Sequence, residues 1–187
     1  MLINLDDIQV EDFSSKKGAG ANTVSFSSLE VGPAKAELEN ALGQIENGHT
    51  YVFATKGAWS AHHLLEYIVR HVGECELILA SWAFSENSAR TVQSLRKEGL
   101  ITKLTCFLSE KVKKHYSAAA SMLEMSGTCY YLKSHAKAIL IENEKFTISI
   151  VMTANFSANR RLEIGTLLTD ETSYQFFKQQ FEQEIKE

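Results

Sequence analysis

The sequence predicts a single α/β domain: a mixed, mostly parallel β-sheet with helices on both faces. The main observation is that short apolar segments alternate with amphipathic segments of helical period between residues 51 and 125, the order typical of βαβ units. The 187 residues, 44% hydrophobic and 22% charged, suit one well-cored globular domain. No internal repeat is present, so one copy of each feature is expected.

Residues 1–34 are predicted to form N-terminal strands and a flexible loop, which belong to or pack on a domain formed by residues 35–187. Residues 2–5 and 8–10 are candidate edge strands, and residues 23–27 alternate as a strand does. Residues 14–22 are rich in Ser and Gly, which favours a loop. This loop lacks the Gly-Lys-Ser/Thr ending of a phosphate-binding loop.

Capping residues predict where the helices begin. Pro33 precedes a helix with Leu38, Leu42 and Ile45 at helical spacing, and Gly48 is expected to end it. Three serines precede the other helices of the first half, which are predicted over residues 61–72, 86–98 and 110–125. A last helix is predicted over 171–185, with Phe176, Phe177, Phe181 and Ile185 on or near one face.

Apolar segments between these helices predict the strands. The segments 51–54, 76–81 and 103–108 alternate with helices and are expected to pair in parallel. Residues 126–128, Ser-Gly-Thr, break this pattern. A hairpin formed by 134–142 and 146–152 follows, and residues 164–169 form a further strand.

Composition excludes several classes of protein. A net charge of −4 disfavours an indiscriminate nucleic-acid binder, although a local basic cleft is compatible with it. No apolar run approaches the length of a membrane helix, and the N-terminus lacks a signal-peptide pattern, so a cytoplasmic protein is expected. Neither the three cysteines nor the histidines at 49, 62, 63 and 71 have metal-ligand spacing, so no metal or cofactor is expected.

Candidate functional residues cluster in the hairpin. Side chains two positions apart in a strand point to the same face. His135 and Lys137 have this spacing, and so do Thr153 and Asn155 at the end of the second strand. A hairpin brings these two strand ends together. Imidazole acts as nucleophile or general acid, while ammonium and amide groups hold phosphate oxygens.

This pattern resembles the HKD motif of the phospholipase D superfamily. His135, Lys137 and Glu142 fall on its His, Lys and acidic positions, and residues 152–155 fall on the Gly-Ser-x-Asn segment that follows. Glu163 lies where many members carry the acid that orients the histidine. Three residues depart from the pattern: Glu142 replaces Asp, Met152 replaces Gly and Thr153 replaces Ser.

The resemblance implies a role for each matched residue. His135, Lys137 and Glu163 would be catalytic, whereas Glu142 would give structural support. Thr153 and Asn155 would bind substrate, and Asn159 would hold either the loop or the phosphate. A single motif implies a homodimer, since sites of this family use two facing motifs, and it implies metal-free phosphodiester hydrolysis through a phosphohistidine. The small single-motif members are nuclease-like, which makes nucleic acid, DNA or RNA, the expected partner.

Simpler interpretations remain open for several residues. Glu163 could pair with a neighbouring arginine, and Glu142 could be an ordinary turn residue. The basic cluster Lys111, Lys113, Lys114 and His115 is either a solvated helix face or a track for a phosphate backbone. Trp59 and Trp82 either line the cleft or pack in the core. The alternative function is a catalytically weak nucleic-acid-binding module, which Met152 in place of Gly and Glu142 in place of Asp favour. The sequence has no amphipathic membrane-binding stretch, which argues against a lipid substrate.

Overall fold

One eight-stranded sheet forms the centre of the described part of the chain, in the order β1-β2-β8-β7-β6-β3-β4-β5. The computed structural model describes residues 23–28, 38, 39, 42–55, 57, 59–157 and 161–186. The strands are β1 Thr23–Ser28, β2 His49–Thr55, β3 Cys75–Ser81, β4 Ile101–Ser109, β5 Thr128–Leu132, β6 Ala138–Glu142, β7 Thr147–Met152 and β8 Glu163–Leu168.

The sheet is mixed, which confirms the predicted class. Strands β1 and β2 are parallel, as are β3, β4 and β5. The remaining four of the seven described neighbour pairs are antiparallel, because the hairpin strands β6 and β7 and their successor β8 lie between the two parallel groups. Antiparallel pairing is therefore more extensive than the βαβ pattern alone indicated.

Five helices of the described part follow the predicted order: α1 Ala61–Val72, α2 Glu86–Lys97, α3 Glu110–His115, α4 Ser117–Glu124 and α5 Glu171–Glu184. The Ser85 and Ser109 hydroxyls accept backbone hydrogen bonds at the starts of α2 and α3, as capping predicts. The single helix predicted over 110–125 is wrong. Tyr116, at φ −133° and ψ 45°, leaves the helical conformation and divides it into α3 and α4.

The two faces of the sheet bury different cores. Ile139 and Ile141 of β6 pack in the large core that includes α1 and α2, whereas Ala138 packs in a small cluster with Phe107 and Phe181. This alternation follows from the two-residue period of a strand. Helix α5 covers the second face through Tyr174, which is buried, and Phe181, so helices lie on both faces as predicted.

Side chains of α5 differ from the predicted face. Tyr174 is the buried position, with half-buried side chains three and seven residues later at 177 and 181. Phe176 and Ile185 are exposed instead, at 57% and 40% of their surface. No described helix has both the length and the apolar character needed to cross a membrane.

The N-terminal predictions are only partly covered by the described residues. The strand expected at 23–27 is present as β1, which pairs with β2 and so joins the same sheet. The edge strands at 2–5 and 8–10 and the loop at 14–22 lie outside the described residues. Leu38 and Leu42 are helical and buried, but Gly43, at φ 53°, ends this turn before the predicted Gly48.

Strand β5 is an element that the sequence pattern did not predict. It begins directly after Gly127, where a Cβ atom would overlap the Leu104 carbonyl oxygen and Cβ. Glycine therefore lets the chain approach β4 closely before the two strands pair in parallel. The Ser-Gly-Thr break marks the start of a strand at the edge of the sheet.

Candidate active site

One edge of the sheet brings together the ends of the strands that flank the predicted site. Strand β6 runs antiparallel to both β3 and β7, with Ala138 opposite Ala80 on one side and Val151 on the other. The start of β6 therefore adjoins the ends of β3 and β7. The start of β8 is at the same edge, since Gly165 pairs with Met152. Residues just outside these strand ends can therefore converge.

His135 and Lys137 lie in the connection before β6 and contact each other. The prediction that both belong to the strand is wrong, because β6 begins at Ala138. The Lys137 Nζ atom is 3.0 Å from His135 Nδ1, and it donates a hydrogen bond of 2.7 Å to the His135 carbonyl oxygen. The Met152 amide donates to the Lys137 carbonyl at 3.2 Å, which fixes this connection to the end of β7.

Thr153 and Glu163 are joined across the ends of β7 and β8. The Thr153 hydroxyl donates a hydrogen bond to Glu163 Oε2 and accepts one of 3.0 Å from the Ile164 amide. The Thr153 amide donates in turn to the Ile164 carbonyl at 2.9 Å. The hydroxyl and the carboxylate are thus held by main-chain pairing at the edge where β6 begins.

Asn155 lies in the loop after β7, and this loop is well anchored. The Ser85 amide donates to the Phe156 carbonyl at 2.6 Å, and the Phe156 and Phe84 rings stack at 4.7 Å. Asn155 Oδ1 is buried and has no hydrogen-bond partner among the described residues. Thr153 is exposed whereas Asn155 is half-buried, so the two do not present their side chains equally to solvent. Asn159 lies outside the described residues.

An open groove of about 440 Å³ leads to the His135–Lys137 pair. Phe177 and Phe181 of α5 form one side, and residues at the start of β6 and the end of β7 form the other. His135, Lys137 and Thr153 therefore lie in one groove with an apolar wall. Asn155 and Glu163 are not among the described residues that line it.

Trp82 and Lys111 extend the site on the side of β3 and β4. Trp82 follows the end of β3, and its ring centroid lies 5.3 Å from that of His135. Lys111, in the first turn of α3, places Nζ 3.6 Å from the centroid of the Trp82 ring. Trp82 thus contacts the candidate site, while Trp59 is 3% exposed and packs on Phe53 in the core.

The site is rich in potential positive charge. Burial lowers the pKa of Lys137 below its usual value of 10.5, and the nearby Glu163 carboxylate opposes that shift. A lysine that is partly desolvated gains by meeting an anion, since an opposite charge restores the stability of the ammonium form. Lys137 and Lys111 can therefore hold an anionic group close to the His135 ring.

Glu142 lies at the opposite end of β6. Its Oε2 atom accepts hydrogen bonds from the Tyr174 hydroxyl at 2.8 Å and from Lys178 Nζ at 3.1 Å. Burial alone would raise the pKa of Glu142, but these two hydrogen bonds and the charges of Lys178 and Lys103 lower it. Glu142 therefore ties α5 to the sheet at a distance from the groove.

The pair of histidines at the start of α1 forms a separate polar cluster. His62 Nδ1 lies 2.7 Å from Ser60 Oγ and 3.2 Å from Ser88 Oγ. Burial, with a contribution from His63, lowers the pKa of His62 to about 4, although Glu66 opposes this. His62 is therefore neutral near pH 7 and joins the starts of α1 and α2. In the described part of the chain, no three His, Cys, Asp or Glu side chains form a group that could hold a metal ion.

Sequence reasoning named the hairpin residues but left the Trp82–Lys111 pair undecided. The available signal was positional: both residues follow the ends of neighbouring parallel strands, which is where α/β sheets place their ligand-binding loops. Sequence spacing alone does not reveal which of several lysines on a helix turns toward a given ring.

No protein-family model matches the sequence, and no curated protein matches it. Among solved structures, the chain is similar to Nuc, a phospholipase D family member from Salmonella typhimurium. The identity is 12% and the TM-score 0.58, over 73% of this chain and 93% of that one. NucT from Helicobacter pylori is similar at 16% identity with a TM-score of 0.56, over 73% of this chain and 95% of that one.

A third similar structure is that of TrmBL2, an archaeal chromatin protein with a novel mode of DNA binding. The identity is 14% and the TM-score 0.53, over 80% of this chain and 58% of that one. Identities this low establish the fold alone, and at that level they confirm the resemblance drawn from the hairpin motif. The chain therefore has the fold of the phospholipase D family member Nuc, and it is similar to NucT as well.

Proposed function

We propose that the protein is a metal-independent phosphodiesterase that acts on nucleic acid, with His135 as its nucleophile. The observation that carries this proposal is the contact of the Lys137 ammonium with the His135 imidazole in an open groove at the sheet edge. A nucleophile and a cation at this separation suit a phosphate, whose phosphorus is attacked while its oxygens are neutralised. The fold shared with Nuc, a phospholipase D family member, supports phosphodiester hydrolysis.

The proposed reaction has two steps and uses His135 of two subunits. One His135 attacks phosphorus and forms an N–P bond, the P–O bond to the leaving group breaks, and the other His135 gives its proton to that oxygen. The second His135 then takes a proton from water, the resulting hydroxide attacks phosphorus and the N–P bond breaks. Lys137, Thr153 and Asn155 hold the non-bridging oxygens, with Asn159 holding these oxygens or the loop, and Glu163 orients the histidine.

The homodimer in this proposal is supported by apolar side chains near the site. Leu162 and Ile164, which flank Glu163, are 64% and 54% exposed, and Phe176 beside the groove residue Phe177 is 57% exposed. Exposed apolar side chains beside a groove are typical of protein interfaces. A second copy of the chain that covered Leu162 and Ile164 would lie at the strand ends beside Thr153.

The dimer is tested by light scattering with Ile164→Ser, and with Met125→Ser as the matched control. Met125 is 76% exposed but follows α4, at the edge of the sheet where β5 begins rather than ends. We expect a dimer of the 20.9 kDa chain for the wild type and for Met125→Ser, and a monomer for Ile164→Ser. An active wild-type monomer would contradict the shared site.

Hydrolysis in EDTA tests the proposed activity. The substrates are bis(p-nitrophenyl) phosphate and a single-stranded oligonucleotide, compared for the wild type, His135→Ala and the control His71→Ala, which removes an exposed histidine in the last turn of α1. We expect the wild type and His71→Ala to cleave both substrates, and His135→Ala to be slower by about 10³-fold or more. Cleavage that persists in His135→Ala, or that EDTA abolishes, would refute the mechanism.

The second candidate function is a nucleic-acid-binding module with weak or no catalysis. Met152, Thr153 and Glu142 differ from the family pattern, and the DNA-binding protein TrmBL2 shares the fold. This function predicts salt-dependent binding of the oligonucleotide without turnover by a folded protein. The same EDTA experiment therefore separates the two functions.

A further inference from the structure

Lys111 is held at the candidate site by the ring of Trp82. Trp82 follows β3 and Lys111 follows β4, and because these strands are parallel neighbours the two residues meet at one edge. Lys111 Nζ lies 3.6 Å from the ring centroid, within the range of a cation–π contact. Both side chains are half-buried, whereas the neighbouring Lys113 and Lys114 are exposed. The Lys111 ammonium thus lies against the indole, whereas its neighbours on α3 face solvent.

The same indole also contacts the proposed nucleophile. The Trp82 and His135 ring centroids are 5.3 Å apart with an interplanar angle of 58°. Lys111 Nζ lies 3.6 Å from the indole centroid, and the indole centroid lies 5.3 Å from the imidazole centroid. The sum of these two distances is an upper limit on the distance between Lys111 Nζ and the imidazole centroid. Lys137 contacts the imidazole directly, whereas Lys111 contacts the indole that lies against it. Lys137 is therefore placed to bind the phosphate that His135 attacks, and Lys111 is placed to bind a second anionic group beside the indole.

We infer that Lys111 binds the phosphate adjacent to the scissile phosphate, so the substrate is a nucleic-acid strand rather than an isolated diester. This inference rests on the proposed function, whose site it extends. In a strand, every nucleotide carries a backbone phosphate, and a lysine that neutralises one contributes to affinity without regard to base sequence. The groove itself has an apolar wall of Phe177 and Phe181. Lys111 supplies a positive charge beside Trp82, which contacts His135, so charge favours the Trp82 side for the neighbouring phosphate.

Two measurements test this role of Lys111. The first is the salt dependence of binding of a fluorescein-labelled single-stranded oligonucleotide in the His135→Ala background, which separates binding from turnover. Adding Lys111→Ala should lower the slope of log K against log salt by about 0.7, the value of one phosphate contact on a single strand. Lys111→Arg, which keeps the charge and can stack on an indole, should retain the slope.

The second measurement is the ratio of kcat/KM for the oligonucleotide to kcat/KM for bis(p-nitrophenyl) phosphate. Lys111→Ala should lower this ratio about tenfold, the kinetic equivalent of roughly 1.4 kcal/mol. The control is Lys97→Ala, which removes an exposed lysine at the end of α2, near the opposite edge of the sheet where β4 begins. Lys97→Ala should change neither the ratio nor the salt slope.

The possible outcomes distinguish failure of the role proposed for Lys111 from failure of the proposed function. An unchanged slope in Lys111→Ala, an equal loss for both substrates, or failure of the His135→Ala protein to bind the oligonucleotide would overturn the role of Lys111. If the wild type bound the oligonucleotide but did not hydrolyse it, the proposed mechanism would be refuted. The slope of log K against log salt would still decide whether Lys111 contacts a phosphate.

Discussion

At its start, β6 is preceded by two groups that can both carry positive charge, whereas at its end it carries a carboxylate that is already neutralised. Lys137 Nζ lies 3.0 Å from His135 Nδ1, and burial lowers the pKa of this lysine. Glu142, by contrast, accepts hydrogen bonds from Tyr174 and Lys178. The first end places His135 and Lys137 in an open groove and suits an anionic ligand, while at the second end the carboxylate is paired within the protein.

The difference teaches that one sequence motif serves two purposes. His135 precedes the start of the extended strand β6 and Glu142 is its last residue, so the strand itself, at about 3.3 Å per residue, keeps the acid away from the histidine. The hydrogen bonds of Glu142 join the sheet to α5, the helix that also carries Phe177 and Phe181 of the groove. Substitutions at the two ends should therefore affect different measurable quantities.

The largest expected effect is that of Lys137→Ala on the rate, with Lys178→Ala as its counterpart at the other end of β6. Removal of a positioned charge that stabilises the transition state typically costs about 10²–10³-fold, and we expect that loss in kcat/KM for Lys137→Ala. Lys178→Ala should leave kcat/KM within about twofold. Steady-state hydrolysis of bis(p-nitrophenyl) phosphate measures both, and equal losses would remove the distinction between the ends.

The next effect is on stability, through Glu142→Ala. The Tyr174 hydroxyl would lose its acceptor while its side chain remains 1% exposed, and an unsatisfied buried group of this kind costs about 1–3 kcal/mol of unfolding free energy. Urea denaturation measures this loss, and the rate per folded molecule should stay within about twofold. In the double variant Glu142→Ala/Tyr174→Phe the cost should be less than the sum of the single losses. Strict additivity would show that the hydrogen bond carries no coupling.

The smallest effect is on the alkaline limb of the pH–rate profile. The folded-state pKa of Lys137 lies below 10.5, so its ammonium is present at neutral pH and is lost as the pH rises through that lowered pKa. We expect kcat/KM to fall with a limb below pH 10.5, and Lys137→Arg to move the limb upward because guanidinium stays protonated. An identical limb in both proteins would assign it to another group.

Local patterns in the sequence predicted the fold wherever a helix cap or a strand period acted alone. Ser85 and Ser109 accept hydrogen bonds at helix starts, and the alternation of β6 divides its side chains between two cores. The strand after Gly127 was not predicted, because it depends on how the chain meets β4 rather than on local propensity. The break at Tyr116 was not predicted either.

The part of the candidate site that could be predicted is the part where hairpin pairing alone determines which residues meet. Antiparallel pairing of β6 with β7 places Thr153 beside the start of β6, as expected from the sequence. The contact of Trp82 with His135 and Lys111 joins residues from three separate strand ends, so it depends on the order of β3, β4 and β6 in the sheet. Sequence spacing carries no information on that order.

The most direct test of the central claim is detection of a covalent intermediate on His135. Rapid mixing with bis(p-nitrophenyl) phosphate, alkaline quenching and mass spectrometry of peptides would locate the p-nitrophenyl phosphoryl group. We predict a burst of p-nitrophenolate in the wild type, with the adduct on His135, and neither burst nor adduct in His135→Ala. Turnover without an adduct, or an adduct on another residue, would contradict the assignment of His135 as the nucleophile.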